Sequence, residues 1–296
     1  MTVRNILIVV AHPDPGSFNH ALAAGTADAL RQAGHRVTVS DLAGEGFRAD
    51  VGPHDVTERA DTGRFHVQAE QANAARRGAY AEDIRREQAR VAEADNVILQ
   101  FPVWWGGPPA LMKGWVDRVL SYGFAYVDGR RFETGLFRGR RAMISVTTGG
   151  TPERFSEEGV YGPIDPLLMP IRKLALEYMG FEVAPLQVAY GVPRTSPEAR
   201  AAHMAQLAHA ALQLAALPVE RTDAWRTALD EVPEGATMIG LKARSTLVPA
   251  EQWLKQFIPY GTPCDDPCEG VREVSRDCVE KLEVERHWGT HGGAGA

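Results

Sequence analysis

Cysteine is scarce in this chain. Its 296 residues contain three, Cys264, Cys268 and Cys278, all near the C-terminus. An odd count in a chain of this length argues against a disulfide framework and points to a reducing, cytoplasmic setting. The C-x3-C-x9-C spacing falls within the loose range of zinc sites. Only His287 is at hand to complete a set, so ordinary reduced thiols and no metal are expected. No run of about 18 consecutive apolar residues is present, which excludes a conventional transmembrane helix. The first residues carry one arginine and then a strand-like run, so no signal peptide is expected. A basic field is also lacking: the formal net charge is −6, which makes nucleic acid and anionic membranes poor partners. What remains is 44% hydrophobic and 24% charged, the balance of a globular chain able to bury a core without staples.

Short apolar runs alternate with helical patterns. Residues 4–10 read as a central parallel strand, 17–33 as a helix closed by Gly34, and 36–40 as a second strand. Residues 43–78 read as a long, polar, irregular connection, a length that points to function or a partner contact. A charged amphipathic helix over 79–93 leads to strand 96–101, and a helix over 109–120 starts with proline in its first turn. Strand 141–146, a helix over 166–178 ended by Gly180, strand 181–189 and a closing helix over 197–217 follow. This alternation predicts an α/β fold: a doubly wound, five-stranded parallel sheet in the flavodoxin-like order, with helices on both faces. Residues 1–217 form the expected domain. Residues 218–296 lose the alternation and hold isolated aromatics, Trp225, Trp253, Phe257 and Tyr260. They read as an irregular extension wrapping the domain or a dimer interface, with 292–296 disordered.

Two loops carry the chemistry. Ala11-His12-Pro13-Asp14-Pro15-Gly16-Ser17-Phe18-Asn19 follows the apolar run 6–10, and its small and hydroxyl residues suit a phosphate at a helix N-terminus. Phe101-Pro102-Val103-Trp104-Trp105-Gly106-Gly107-Pro108-Pro109 follows Val97-Ile98-Leu99 and presents two tryptophans suited to a flat aromatic ligand. Either tryptophan could instead belong to the core, but adjacent tryptophans before Gly-Gly-Pro-Pro favour a site. Thr147-Thr148-Gly149-Gly150 follows the fourth strand, where glycine lets backbone approach a ligand. Phosphate plus a flat ring points to a flavin nucleotide.

These segments, with Lys113-Gly114-Trp115 and Phe124-Ala125-Tyr126, stand at the spacing of a known family. Over residues 4–215 the chain resembles the NAD(P)H:quinone oxidoreductase (DT-diaphorase-like) flavoproteins. The resemblance implies a cytoplasmic homodimer with one non-covalent flavin per subunit near the interface. It implies ping-pong chemistry, in which NADH or NADPH passes hydride to the flavin and leaves. A quinone, or an azo or nitroaromatic compound, then takes two electrons in the same pocket.

By the same resemblance, His12, Ser17, Phe18 and Asn19 meet the flavin diphosphate. Pro102, Val103, Trp104 and Trp105 line the ring, and Thr147, Thr148, Gly149 and Gly150 meet its polar edge. Tyr126 reaches the substrate pocket across the dimer, and His66 aligns with a position that can reach the partner's cofactor. Arg200 lies near the adenosine end of FAD, which with the extension favours FAD and leaves FMN open. Phe155 and Tyr161 stand where well-studied members have a tyrosine and a histidine. Phe155 cannot donate a hydrogen bond, and Tyr161 keeps a donor without a positive charge, so no histidine relay is expected. Gly106 and Asp128 replace aromatic positions of some members and predict a more open, more polar pocket. An alternative reading is a regulatory subunit of a potassium-efflux-type transporter, though such relatives are shorter. A one-electron shuttle ranks last, because shuttles are short and strongly acidic.

Overall fold

Alternating side chains along the strands build the molecule, described over residues 2–232 by a computed structural model. In β1 (Asn5–Val10), Leu7 and Val9 enter one core while Ile6, Ile8 and Val10 enter another on the opposite face. A strand buried on both sides must be apolar throughout, which is why the run is continuous. β3 (Asn96–Pro102) and β4 (Arg141–Thr147) divide their side chains in the same way.

β2 (Arg36–Asp41) pairs with β1, β1 with β3, and β3 with β4, all in parallel. β5 (Glu182–Val183) completes the order 2-1-3-4-5, the flavodoxin-like order the sequence predicts. α1 (Phe18–Gln32) and α6 (Pro197–Ala216) cover one face. α4 (Ala110–Val119) and α5 (Ile164–Ile171) fill the other, together with Val91 of α3 (Glu82–Glu93). α1 stops as expected: Gly34 takes φ +89°, its N–H donates to Arg31 O, and His35 N–H donates to Leu30 O.

Four expectations need correction. The connection over 43–78 is not irregular throughout, since it contains α2 (Val67–Arg77), which is capped by His66 and stopped by Gly78 at φ +66°. Its polar stretch is ordered by the buried Arg118, through one ion pair and one bond to a backbone carbonyl. Arg118 Nε donates to Asp55 Oδ1 at 2.8 Å and Arg118 Nη1 to Arg48 O at 2.8 Å. Gly114 lets α4 lie against this stretch, because a Cβ there would stand 2.1 Å from Ala49 O. The helix read from 79 begins at Glu82, because the backbone at Tyr80 first bridges to Val56.

The strand read over 181–189 is broken into β5 and β6 (Gln187–Ala189), each pairing with β4. Pro185 lies in the gap and has no N–H for a ladder. The helix read over 166–178 begins at Ile164, contains Pro170, and continues from Arg172 to Glu177 as a π-helical turn. Proline removes an N–H from the helical ladder, which then re-forms at wider spacing.

Residues 218–232 run across the amino ends of the strands. Glu220 N–H donates to Gly139 O at 3.0 Å and Thr222 N–H to Arg138 O at 3.1 Å. The fully buried Arg140 donates to the carbonyls of Val91, Ala92 and Ala94 and to Asp223. Burial, with Arg221 nearby, lowers its pKa to about 10. Trp225 packs on Phe124, with ring centres 5.5 Å apart. Trp253, Phe257, Tyr260, the three cysteines, His287 and residues 292–296 lie outside the described residues.

Candidate active site

The carboxyl ends of β1, β3 and β4 converge at the switch point between β1 and β3, where open sheets of this type bind ligands. On the β1 side, Ser17 caps α1 by accepting from His20 N at 3.3 Å. The N–H groups of Phe18 and Asn19 find no acceptor among the described residues, as the start of a helix dictates. Asn19 turns inward and is buried. Its Nδ2 donates to Thr147 Oγ1 at 3.0 Å, and its Oδ1 accepts from Gln100 Nε2 at 2.9 Å. One amide thus ties α1 to β3 and β4.

Gln100 went unnoticed in the sequence. Its signal was a lone polar residue inside a strand that is otherwise apolar from 97 to 101. The His12 ring lies edge-on to His20 and to Trp104, with centres 6.4 Å and 5.9 Å away, so it links the two loops. The Arg200 guanidinium stands 5.4 Å from the centre of the Phe18 ring and donates to Val192 O at 3.1 Å.

The other half follows β3 and β4. Pro102 and Thr147 share a register position, and Val103 N–H donates to Thr147 O at 2.9 Å. Trp104 and Gly107 then exchange two backbone hydrogen bonds, of 2.9 and 3.1 Å, around a two-residue turn. Both central residues have positive φ, Trp105 at +51° and Gly106 at +77°. Such a turn favours Asn-Gly, and a tryptophan in it is strained by roughly 1–2 kcal/mol. The Trp105 side chain is nevertheless fully exposed, and Trp104 is 46% exposed, so neither is a core residue.

After β4, Thr148 N–H donates to Ala189 O at 3.0 Å and Thr148 Oγ1 to Gly150 O at 2.7 Å, which closes the loop on itself. Gly149 faces open space, with no atom within 4 Å of a Cβ built there. Gly150 is roofed by the rings of Phe155 and Tyr161, 2.8 Å and 3.2 Å from such a Cβ. The two rings lie 5.2 Å apart, and Tyr190 stands 5.9 Å from Phe155. Arg194 Nη1 donates to Gly149 O at 3.3 Å, and Arg154 Nη1 donates to Tyr161 Oη at 3.3 Å. Spacing alone marked none of Tyr190, Arg154 or Arg194.

Tyr126 is not brought to this cluster. It lines a separate cavity of about 500 Å³ with Gln71, Val116, Leu174 and Tyr178. Gln68 Nε2 donates to Tyr126 Oη at 3.3 Å, and Tyr122 Oη donates to Asp128 Oδ2 at 3.1 Å. Burial raises the pKa of both phenols, that of Tyr122 to about 12 with the Asp128 carboxylate adding to it, so both stay protonated at neutral pH. α5 and the π-helical turn that continues it span the two places, since Leu174 of the turn lines the cavity while Leu167 of α5 lies 3.9 Å from a Cβ built at Gly106. His66 Nδ1 accepts from Ala69 N at 3.3 Å as the cap of α2.

The main cluster fits a flavin nucleotide by its own features: open amides at a helix start, an exposed tryptophan opposite, and a glycine loop with room for a ring edge. Among the described residues no group of three or more His, Cys, Asp or Glu is arranged to hold a metal ion, and no helix is long and apolar enough to cross a membrane.

Known proteins share this fold. The sequence profile of the flavodoxin-like fold family matches residues 4–214. NAD(P)H dehydrogenase [quinone] 1 of Rattus norvegicus is 38% identical over 201 residues, covering 68% of this chain and 73% of its own. Ribosyldihydronicotinamide dehydrogenase [quinone] of Homo sapiens is 38% identical over 201 residues, covering 68% and 87%. A solved Klebsiella pneumoniae structure, assigned as a quinone reductase, superposes with a TM-score of 0.67 at 39% identity, covering 70% of this chain and 83% of that one.

Proposed function

Because the chain belongs to the flavodoxin-like fold family, alongside NAD(P)H dehydrogenases of the quinone type, we propose that it is a flavin-dependent NAD(P)H oxidoreductase. In this reading it passes two electrons to a quinone or related acceptor by ping-pong exchange. The observation that carries it is the meeting, at the ends of β1, β3 and β4, of open helix-start amides with the exposed Trp105 and the open Gly149.

The amides of Phe18 and Asn19, with Ser17 and His12, take the diphosphate. Pro102, Val103, Trp104 and Trp105 line one side of the ring, and Thr147, Thr148, Gly149 and Gly150 meet its polar edge. Arg200 lies against Phe18, whose amide is assigned here to the diphosphate, and this proximity supports FAD over FMN. When bound, the flavin accepts hydride from a dihydronicotinamide and passes two electrons on. In this reading the chain's own contribution is placement: the exposed Trp105 and the open space at Gly149 bound the gap in which donor and acceptor stack in turn. Gly106 in place of a side chain leaves that gap wide, which suits bulky acceptors. The named relatives are enzymes, which favours a reductase over a regulatory subunit.

A homodimer belongs to the same reading. Trp105, Val160, Tyr161, Met169 and Leu174 are large and exposed, and Tyr126 lies off the cluster within its own chain. A second copy would cover the former and supply the latter. The cytoplasm, where NADH and NADPH are available, is the compartment this chemistry fits.

Purified protein should release FAD on denaturation, identified by chromatography, and should oxidise NADH or NADPH only when a benzoquinone is present. The ratio of the two rates assigns the donor. FMN in place of FAD would overturn the role given to Arg200, and failure to take up either flavin on reconstitution would overturn the reading itself.

A further inference from the structure

Resting on that reading, we propose that Arg154, acting through Tyr161, supplies positive charge at the ring-binding edge and favours the reduced form of the bound flavin. Phe155 and Tyr161 together roof Gly150, and Phe155 has no hydroxyl, so Tyr161 carries the hydroxyl of that pair. Its oxygen accepts from the Arg154 guanidinium at 3.3 Å. The same two residues are also joined through the backbone, where Tyr161 N–H donates to Arg154 O at 2.9 Å. The segment from 154 to 161 is therefore closed on itself, and the cation is held beside the phenol.

A phenol oxygen that accepts from a cation becomes a stronger donor through its own O–H, and charge-assisted bonds are about twice as strong as neutral ones. A second cation reaches the glycine loop from beyond β6, with Arg194 donating to Gly149 O at 3.3 Å. Three carboxylates share the segment, Glu153, Glu157 and Glu158, and all three are exposed. The Glu153 carboxylate is held below its usual range by its hydrogen bond to Thr151. Arg154 is exposed as these carboxylates are, and what sets it apart is its direct hydrogen bond to the Tyr161 hydroxyl, a contact that none of the three carboxylates makes among the described residues.

The pair does little for the fold. Arg154 is exposed and Tyr161 is 50% exposed. Interactions between such surface groups contribute little to stability. A two-electron reduction by hydride adds one negative charge to the ring, and a fixed positive neighbour stabilises the reduced state relative to the oxidised one. Arg154 is a positioning residue here, since it acts by aiming and polarising the Tyr161 hydroxyl.

The test is the two-electron potential of flavin-loaded wild type, Arg154→Gln, Arg154→Lys, Tyr161→Phe and the double variant Arg154→Gln with Tyr161→Phe. Arg154→Gln should weaken the hold on reduced relative to oxidised flavin by roughly tenfold, a fall of about 30 mV for a two-electron couple. Arg154→Lys should retain most of the wild-type potential. In the Tyr161→Phe background the added Arg154→Gln change should have a clearly smaller effect. A loaded Arg154→Gln protein with wild-type potential overturns the proposal alone and leaves the reductase reading standing. The same full shift in the Tyr161→Phe background would overturn the route through Tyr161. Wild type that takes up no flavin overturns both.

Discussion

The β1–α1 half of the site and the β3–β4 half face the same space, but they are held in different ways. On the first side Asn19, Gln100 and Thr147 form a buried hydrogen-bonded set, each on a regular element that is itself packed into the core. On the second side Trp105 is fully exposed at φ +51°, and Tyr161 is 50% exposed on a loop. Folding stabilises the first arrangement directly. The second stores strain and exposes apolar surface, which folding alone does not reward. A phosphate-binding end can be preformed because its donors are backbone groups already oriented by a helix. A face that stacks on a ring must stay uncovered until the ring, or a second copy, arrives.

Breaking the buried half should have the largest effect. Asn19→Ala strands Gln100 Nε2 and removes a partner of the Thr147 hydroxyl, each at a cost of about 1–3 kcal/mol. Thermal unfolding should drop by several degrees and flavin retention should fall together with it. Loss of flavin with no change in unfolding would show that the set is not structural.

Trp105→Gly should separate the two halves. Relief of the positive φ should leave the flavin-free protein at least as stable, by up to about 1 kcal/mol, while flavin affinity falls. A clear loss of stability in the flavin-free protein would mean that Trp105 serves the fold. The smallest effect is expected at Gly106. Gly106→Phe, strained by about 1 kcal/mol at φ +77°, should narrow the gap and shift the kcat/KM preference from bulky towards small quinones. An unchanged preference would remove Gly106 from the acceptor wall.

Legibility in the sequence followed the range of the forces involved. Continuous apolar runs reported strands buried on both faces, and Ser17 and Gly34 reported the ends of α1, because such features depend on near neighbours. α2 was hidden because its buried positions, Ala72, Ala74, Glu70 and Gln71, are small or polar and make no apolar stripe. The run of good helix formers from 67 to 77 followed by Gly78 was the signal available. Pro185 in the gap between β5 and β6, and Pro170 ahead of the π-helical turn, were visible as residues but not as consequences, since a ladder or a packed face can absorb proline in more than one way.

The sequence by itself determined the strand order's raw material, the three loops at the carboxyl ends of β1, β3 and β4, and the residue types able to take a phosphate and a flat ring. Only the tertiary structure decided that Gln100 would lock Asn19, that Trp105 would stand in solvent, that Tyr126 would line a different cavity, and that Arg154 would reach Tyr161. Periodicity records which face of an element is buried. Contacts between side chains many residues apart, such as Asn19 with Thr147, depend on how the elements cross, and that is set by packing of the whole core.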